Sequence, residues 1–482
     1  MRIRRMIRQL AVVLPSFALI IAFGQSAGLA ENGPTARAGW AESEITPPLG
    51  IALGGRGGPT TLANKILDPL YAQVLYLKDG KGTGFVLVSF DIVGITHELG
   101  DRIRTAIVHE TGAEWNLIVL NCSHTHSGPY MIRDLMAGVE PAPEIERDYF
   151  EALTEKILTA TRAAAKSLKP VEVEVFNGKS DMAINRRNRN QHGAMTMLPN
   201  ANAPFDDQVW VLKLTPKPGG APAVIFSYAC HPVIAYSFNF SALSADFPGV
   251  ARNELRQAFG EKTHAQFVQG FAGNVRPRVV ADLEHSRFRP SKPEDLQRAG
   301  KNLADAALAA MKSPGKKLSL KLAGTMDRPF LPRATPPPPA RAVYEKMRAD
   351  ALATTNRFRL AVSEYWLKRL DVGEGFARGD AWSLGLVRLA ENEWIVHSGG
   401  EPVVEWRGKI SQWLAPRNIV TFGYAEAKSY LPTEALLAEG GYEVLDSNEA
   451  RAATPAPFAP GIEKAIQESL RRQLAFIEAK TE

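Results

Sequence analysis

The sequence is poor in cysteine: its 482 residues contain two, Cys122 and Cys230. A disulfide-stapled scaffold is excluded, and stability has to come from an apolar core that a chain of this length can bury. Long hydrophobic runs are also missing. The longest mostly apolar stretch, residues 10–23, is about 14 residues, short of the ~20 a membrane-spanning helix needs. Nor is there an excess of one charge in the body of the chain. The formal net charge is +6, but residues 1–30 carry Arg2, Arg4, Arg5 and Arg8 with no acid, leaving 53 basic against 51 acidic residues beyond them. Without a basic stripe there is no footprint for nucleic acid, so no nucleic-acid partner is expected. With 45% hydrophobic and 22% charged residues, disordered and collagen-like classes are excluded as well, and no fixed-period repeat is visible.

The N-terminal arginines, the apolar run and the small residues ending Gly28-Leu29-Ala30 together make the pattern of an export signal cleaved before Glu31. Residues 1–30 are therefore read as a signal peptide and 31–482 as one domain of an exported protein, periplasmic or released. In an oxidising compartment Cys122 and Cys230 are able to pair, but each sits next to a histidine motif, and both the paired and the free-thiol readings stay open.

Beyond the signal, β-type runs alternate with helical spacing. Residues 71–77 and 85–90 flank a turn and predict a hairpin; 98–109 predicts a helix, and 115–120 a strand that runs into His124-Thr125-His126. A second hairpin, 209–214 with 224–229, delivers Cys230-His231-Pro232 at its end. Helices are expected over 143–166, 247–259, 292–311, 344–370, 402–414 and 462–479, and strands over 171–176, 266–269, 382–389, 394–398 and 420–424. The fold class is α/β, a mixed sheet core flanked by helices. Four consecutive prolines, Pro336 to Pro339, mark an exposed extended connector near 329–341 that edges the domain rather than dividing it.

In such folds ligands gather beyond the carboxyl ends of strands, and both histidine motifs fall there. His124 and His126, two residues apart in extended backbone, project to one side, and imidazole is a common metal ligand. The alternative is a pair of solvated or hydrogen-bonded loop histidines. His397 lies inside a strand, where it would at most support a ligand. Glu401 follows Ser398-Gly399-Gly400; a carboxylate there is equally at ease as the acidic group of a helix N-terminus.

Asn121-Cys122-Ser123-His124-Thr125-His126-Ser127-Gly128-Pro129 resembles the histidine motif of the neutral ceramidase family. Further stretches follow in that family's order: Ala183-Ile184-Asn185-Arg186, Ala229-Cys230-His231-Pro232, Ser244-Ala245-Asp246-Phe247-Pro248-Gly249, Phe267-Val268-Gln269-Gly270-Phe271-Ala272-Gly273-Asn274, Gly400-Glu401-Pro402, Ser429-Tyr430-Leu431-Pro432-Thr433 and Gly441-Tyr442-Glu443. The resemblance covers residues 38–444.

It implies a single large ceramidase-like catalytic domain: a zinc hydrolase that cleaves an N-acyl amide, in ceramide or a related acyl lipid, with transient contact to a membrane surface; it leaves the oligomeric state open. It further implies His124, His231, Glu401 and Tyr430 as ligands of Zn2+, with His126 and Arg186 facing the substrate and Tyr430 near the reaction. Tyr430 also has a plainer reading, a packed aromatic with its hydroxyl satisfied. Asp246 reads either as a carboxylate that orients a ligand histidine or as a helix cap.

One position departs from the family. Where ceramidases carry a serine in a G-D-V-S-P-N type segment, this chain has Gly273-Asn274-Val275-Arg276-Pro277-Arg278. Arg276, bulky and permanently charged, would bind an anionic substrate group, narrow the pocket or point outward. Two other readings of function follow: a metal-dependent esterase or phosphoesterase acting on an anion, and a lipid-binding relative without activity.

Overall fold

Alternation of side chains along the strands sorts the molecule into layers. The computed structural model describes residues 36–55, 61–131, 143–334, 341–354, 357–373, 377–426, 429–449 and 456–480. The expected export signal and residues 335–340 of the proline connector lie outside these. Residues 34–482 form one compact unit.

Strands β1 (Arg37–Glu44), β2 (Tyr71–Lys78) and β3 (Gly84–Phe90) are followed by helix α1 (His97–Thr111), β4 (Ile118–Cys122), helix α2 (Glu144–Lys166), β5 (Lys169–Lys179), β6 (Ala183–Arg189), β7 (Met195–Asn200), β8 (Gln208–Pro216) and β9 (Ala223–Tyr228). Helix α3 (Asp246–Phe259), β10 (His264–Gln269), β11 (Val275–Pro277) and helix α4 (Pro293–Ala310) complete the first half. A nine-stranded mixed sheet has the order β10-β9-β8-β5-β1-β2-β3-β4, with Lys316–Lys317 paired to β5. The expected hairpins β2–β3 and β8–β9 are antiparallel; β3–β4 and β9–β10 are parallel.

On β2, Ala72, Val74 and Tyr76 pack with residues of α1, α2, α3 and α4, whereas Leu75 and Leu77 face the other way, into a second core. That second core is closed by a four-stranded sheet of β12 (Ala323–Asp327), β13 (Leu384–Ala390), β14 (Glu393–Ser398) and β16 (Asn418–Phe422), through Val387, Leu389, Ile395, Val420 and Phe422. Between β14 and β16 come β15 (Glu401–Pro402) and helix α7 (Glu405–Trp413), and after them β17 (Tyr430–Leu431) and helix α8 (Ile462–Ala479). Leu384, Leu386 and Val396 pack outward against Trp406, Ile466 and Leu470 of α7 and α8. The layers are thus helix, sheet, sheet, helix. Several strands of the two sheets, among them β3, β9 and β13, are buried on both faces, which is why they read as nearly continuous apolar runs.

Several boundaries differ from expectation. The strand expected at 115 begins at Ile118, preceded by a short 3-10 turn over Trp115–Leu117. The single helix expected over 344–370 is two, α5 (Arg341–Ala353) and α6 (Arg357–Asp371), which pack on each other through Tyr344, Met347, Val362 and Trp366. One amphipathic period does not distinguish a long helix from a helical pair whose faces cover each other. Helix α7 starts at Glu405 rather than 402, because Glu401 and Pro402 pair with Tyr430 and Leu431 as short parallel strands. Strands β6 and β7 and the π-turn at Tyr442–Asp446 were not anticipated. Both cysteines are buried free thiols.

Candidate metal centre

The carboxyl ends of β4, β9, β10, β14 and β16 converge, and one buried amide ties three of them. Asn121 on β4 donates to the carbonyls of Gln269 (3.1 Å) and Gly423 (2.8 Å), and accepts from the Gln269 amide (2.8 Å). The Gln269 side chain reaches the Cys230 carbonyl at 3.0 Å, and the Cys122 amide donates to Tyr424 at 3.2 Å. Histidine- and carboxylate-bearing turns from both sheets are thereby locked together.

His124 lies just past β4 with φ 66, a left-handed backbone rare outside glycine and typical of functional sites. Its Nδ1 faces the Val93 carbonyl at 2.6 Å, and Nδ1 of His231, past β9, faces the Ala272 carbonyl at 2.7 Å. A carbonyl only accepts, so each Nδ1 carries the proton and each Nε2 presents a lone pair. Those lone pairs meet Glu401: its Oε2 is 3.4 Å from His124 Nε2 and 3.3 Å from His231 Nε2. His126 adds a third imidazole, its Nε2 3.4 Å from His124 Nε2, and ligand nitrogens of the three histidines all lie within 4.8 Å of one another. His124 is buried and His126 half-buried, so neither is simply solvated, and helix α7 begins at Glu405, so Glu401 is not an acid of its first turn.

Glu401 reaches this point through a tight turn. Gly400 has φ 64, and a Cβ there would sit 2.2 Å from the Trp382 ring, so only glycine fits. The Glu401 amide donates to the Ser429 carbonyl at 3.2 Å, and register places Glu401 opposite Tyr430. The Tyr430 ring stacks 6.5 Å from that of His231, and the Arg186 guanidinium lies 5.4 Å from the Tyr430 ring. The sequence-expected residues His124, His126, His231, Glu401, Tyr430 and Arg186 are therefore gathered in one place. Arg186 donates from Nε to Glu443 (2.9 Å) and from Nη2 to the Gly273 carbonyl (2.6 Å). Arg276, on β11 beside Arg186's strand, contacts Tyr236, whose ring is 5.5 Å from that of His126.

Two expectations resolve differently. Among the described residues no hydrogen bond links Asp246 to a histidine. Its carboxylate accepts the amides of Ile234 (2.9 Å), Ala235 (2.7 Å) and Phe247 (2.7 Å), fixing the turn after His231-Pro232 and the start of α3. The job of orienting His124 and His231 falls instead to the two backbone carbonyls, which no side-chain pattern reveals. His397 faces Gly385 across the sheet, near the charges of Arg104 and Glu426, and stays outside the nitrogen cluster. Tyr424, unanticipated, has φ 58 and its ring 4.3 Å from His124; the only hint of it is its place just past a strand end. Tyr442 and Glu443 were quoted as motif without a role, and they form the wall against which Arg186 rests.

Electrostatics suit a cation. Burial pushes the His231 imidazole down to about 4, and burial, followed by His124 and His231, holds His126 well below its ordinary value, so both are neutral and able to donate lone pairs near pH 7. Burial and then Glu401 push the Tyr424 and Tyr430 hydroxyls up. Two neutral imidazoles and a carboxylate at edges of 3.3 and 3.4 Å fit a tetrahedral divalent cation, whose ligands at about 2.0–2.1 Å stand roughly 3.3–3.4 Å apart.

Fold and site together define a layered α/β protein with a metal-competent histidine and carboxylate centre at its strand ends. A family model described as the N-terminal domain of neutral/alkaline non-lysosomal ceramidases matches residues 37–289, and the chain belongs to that family. The structure is also similar to the crystal structure of neutral ceramidase from Pseudomonas aeruginosa, at TM-score 0.64 and 16% identity over 90% of this chain and 73% of that one. It resembles a ceramidase complexed with C2 at TM-score 0.66 and 16% identity, over 91% and 75%. At this identity the two structures establish the shared fold.

Proposed function

We propose that the protein is a zinc-dependent hydrolase of an N-acyl amide, in ceramide or a related acyl lipid. The observation that carries this is the pair of carbonyl-anchored histidines whose Nε2 atoms meet one carboxylate oxygen at 3.3 and 3.4 Å. His124, His231, Glu401 and Tyr430 would hold the ion. Nitrogen and oxygen ligands in a tetrahedral set favour zinc among common divalent ions. When bound, zinc supplies Lewis-acid polarisation of the amide carbonyl and a water whose pKa falls to about 7.

The remaining steps belong to the side chains. His126, neutral by burial, would take a proton at Nε2 and hand it to the leaving amine. Tyr430, beside Arg186 and Glu401, would hold a hydrogen bond toward the developing oxyanion. Arg186 positions Tyr430 and is itself fixed by Glu443. Asn121 and the surrounding apolar layers keep these groups rigid, so little reorganisation is needed during reaction.

The test is metal analysis of the purified protein together with fatty-acid release from N-acyl lipids, before and after chelation. One zinc per chain and chelator-sensitive amide cleavage support the reading. A fully zinc-loaded protein that cleaves no amide defeats it, and release of phosphate from an aryl phosphate in the same panel would favour the phosphoesterase alternative. We further propose export, supported by the charged, apolar and small-residue order of residues 1–30. N-terminal sequencing of cell-fractionated protein should find a chain beginning at Glu31, outside the cytoplasm.

A further inference from the structure

Two arginines stand beside the histidine cluster, and they differ in what neutralises them. Arg186 has Glu443, at 2.9 Å. Arg276 has no such partner. Among the described residues no carboxylate forms an ion pair with it, and its Nε is buried without a hydrogen-bond partner. Its guanidinium lies 4.6 Å over the Phe288 ring, its Nη1 is 3.7 Å from the Met197 sulfur, and its polar neighbour is the Tyr236 hydroxyl. Register sets Arg276 opposite Ile184, two residues before Arg186. Burial, together with the Arg186 charge, depresses the Arg276 guanidinium in spite of Tyr236.

A guanidinium does not give up its proton under ordinary conditions, and a largely buried one without a counter-ion is costly. Apolar walls and a second cation add to that cost, and an anion entering from the site would relieve it. Arg276 is one aromatic ring from the reaction centre, because the Tyr236 ring it touches is 5.5 Å from that of His126.

We infer that Arg276 is a receptor for an anionic group of the substrate, so that the amide cleaved carries a carboxylate-type anion near the scissile bond. This deepens the amide-hydrolase reading and rests on it. The substrate class becomes an acidic N-acyl amide, such as an N-acyl amino acid, in place of an uncharged ceramide. Hydrolysis itself is unchanged. Water oxygen bonds to the acyl carbon, the C–N bond breaks, one water proton goes to the amine nitrogen and the other leaves with the carboxylic acid formed, and the anion takes no part in bond making.

The experiment compares three amides on the zinc-loaded full chain: N-lauroylglycine, with its carboxylate on the amine half; N-dodecylsuccinamate, with its carboxylate on the acyl half; and neutral N-lauroylethanolamine. At least one acid should exceed the neutral amide by about 10- to 100-fold in kcat/KM, the range expected for one charge-assisted hydrogen-bonding partner. Arg276→Gln should collapse that acid-to-neutral ratio toward one, and Arg276→Lys should keep part of it. A purely structural arginine would leave the ratio unmoved. A wild-type protein that turns over the neutral amide as well as both acids, or an unchanged ratio in Arg276→Gln, overturns the inference while leaving the hydrolase reading intact. If none of the three is cleaved, the hydrolase reading fails. Calorimetric binding of isosteres with CH2 in place of the amide N–H then decides the receptor alone. Tighter, Arg276-dependent binding of an acidic isostere upholds it, and equal binding of all three removes it.

Discussion

Two buried clusters of ionisable side chains lie on either side of the turn at 398–401, and they are built on opposite principles. In one, His124, His231 and Glu401 aim lone pairs at a common point, with proton-bearing nitrogens turned away onto backbone carbonyls. In the other, Glu426 takes Arg104 at 2.8 Å, Ser383 at 2.5 Å and His97, so that its charge is matched by donors. Burial would raise the Glu426 carboxyl, yet His97 and Arg104 bring it down to about 2. The backbone carbonyls of Ser383 and Glu426 receive the amides of Gly399 and Gly400, so this second cluster braces the turn that presents Glu401. A convergence of acceptors calls for a cation, whereas a matched set of donors and acceptors is structural.

The largest effect that would sharpen this contrast is on chemistry. His124→Ala should lower amide hydrolysis by about 10³-fold or more and abolish the rise in melting temperature on adding zinc, since ligand binding to the folded state is what produces that rise. Retained zinc and activity would break the distinction at once. Arg104→Met, in the bracing cluster, should instead cost about 3–5 kcal/mol of stability by leaving Glu426 buried and underpaired, read by denaturant unfolding, while zinc content per folded chain stays near wild type.

Acid should separate the clusters a third way. The His231 imidazole titrates near 6.5 when unfolded but only at about 4 in the folded chain. The unfolded state therefore binds more protons between those values, and the contribution is present above pH 6.5 and lost as pH falls to about 4. In chelator this amounts to on the order of 3 kcal/mol, and unfolding curves at pH 7 and pH 4 for wild type and His231→Asn should differ by that increment. The smallest expected effect is at the tie between the sheets. Asn121→Ala should cost about 1–3 kcal/mol through unmet buried backbone groups, and it should weaken zinc retention, because the turns bearing His231 and Tyr424 lose their common anchor.

Much of the fold was legible because it depends on local signals. The hairpins at β2–β3 and β8–β9 are paired apolar runs around turn residues, and α1, α3 and α8 carry unbroken helical spacing. The pair α5 and α6 was read as one helix because helical periodicity persists across both. His124 and His231 stood out by falling just past strand ends. Tyr424 did not, since its approach to the His124 ring depends on a left-handed backbone after a strand from the other sheet. Asp246 was read as a support for a ligand histidine or as a helix cap, not as the partner of three amides, because those amides belong to a turn set by chain reversal.

Residue type and order alone determined the alternation of strands and helices, the histidine and carboxylate chemistry available, and the motif likeness that the family match bears out. These are properties of the chain read a few residues at a time. Tertiary structure decided which nitrogens point inward, which arginine has a carboxylate partner among the described residues, and that two different sheets contribute to one centre. Such facts depend on distances of a few ångströms between residues over a hundred positions apart, set by the stacking of two sheets whose apolar faces attract without regard to sequence separation.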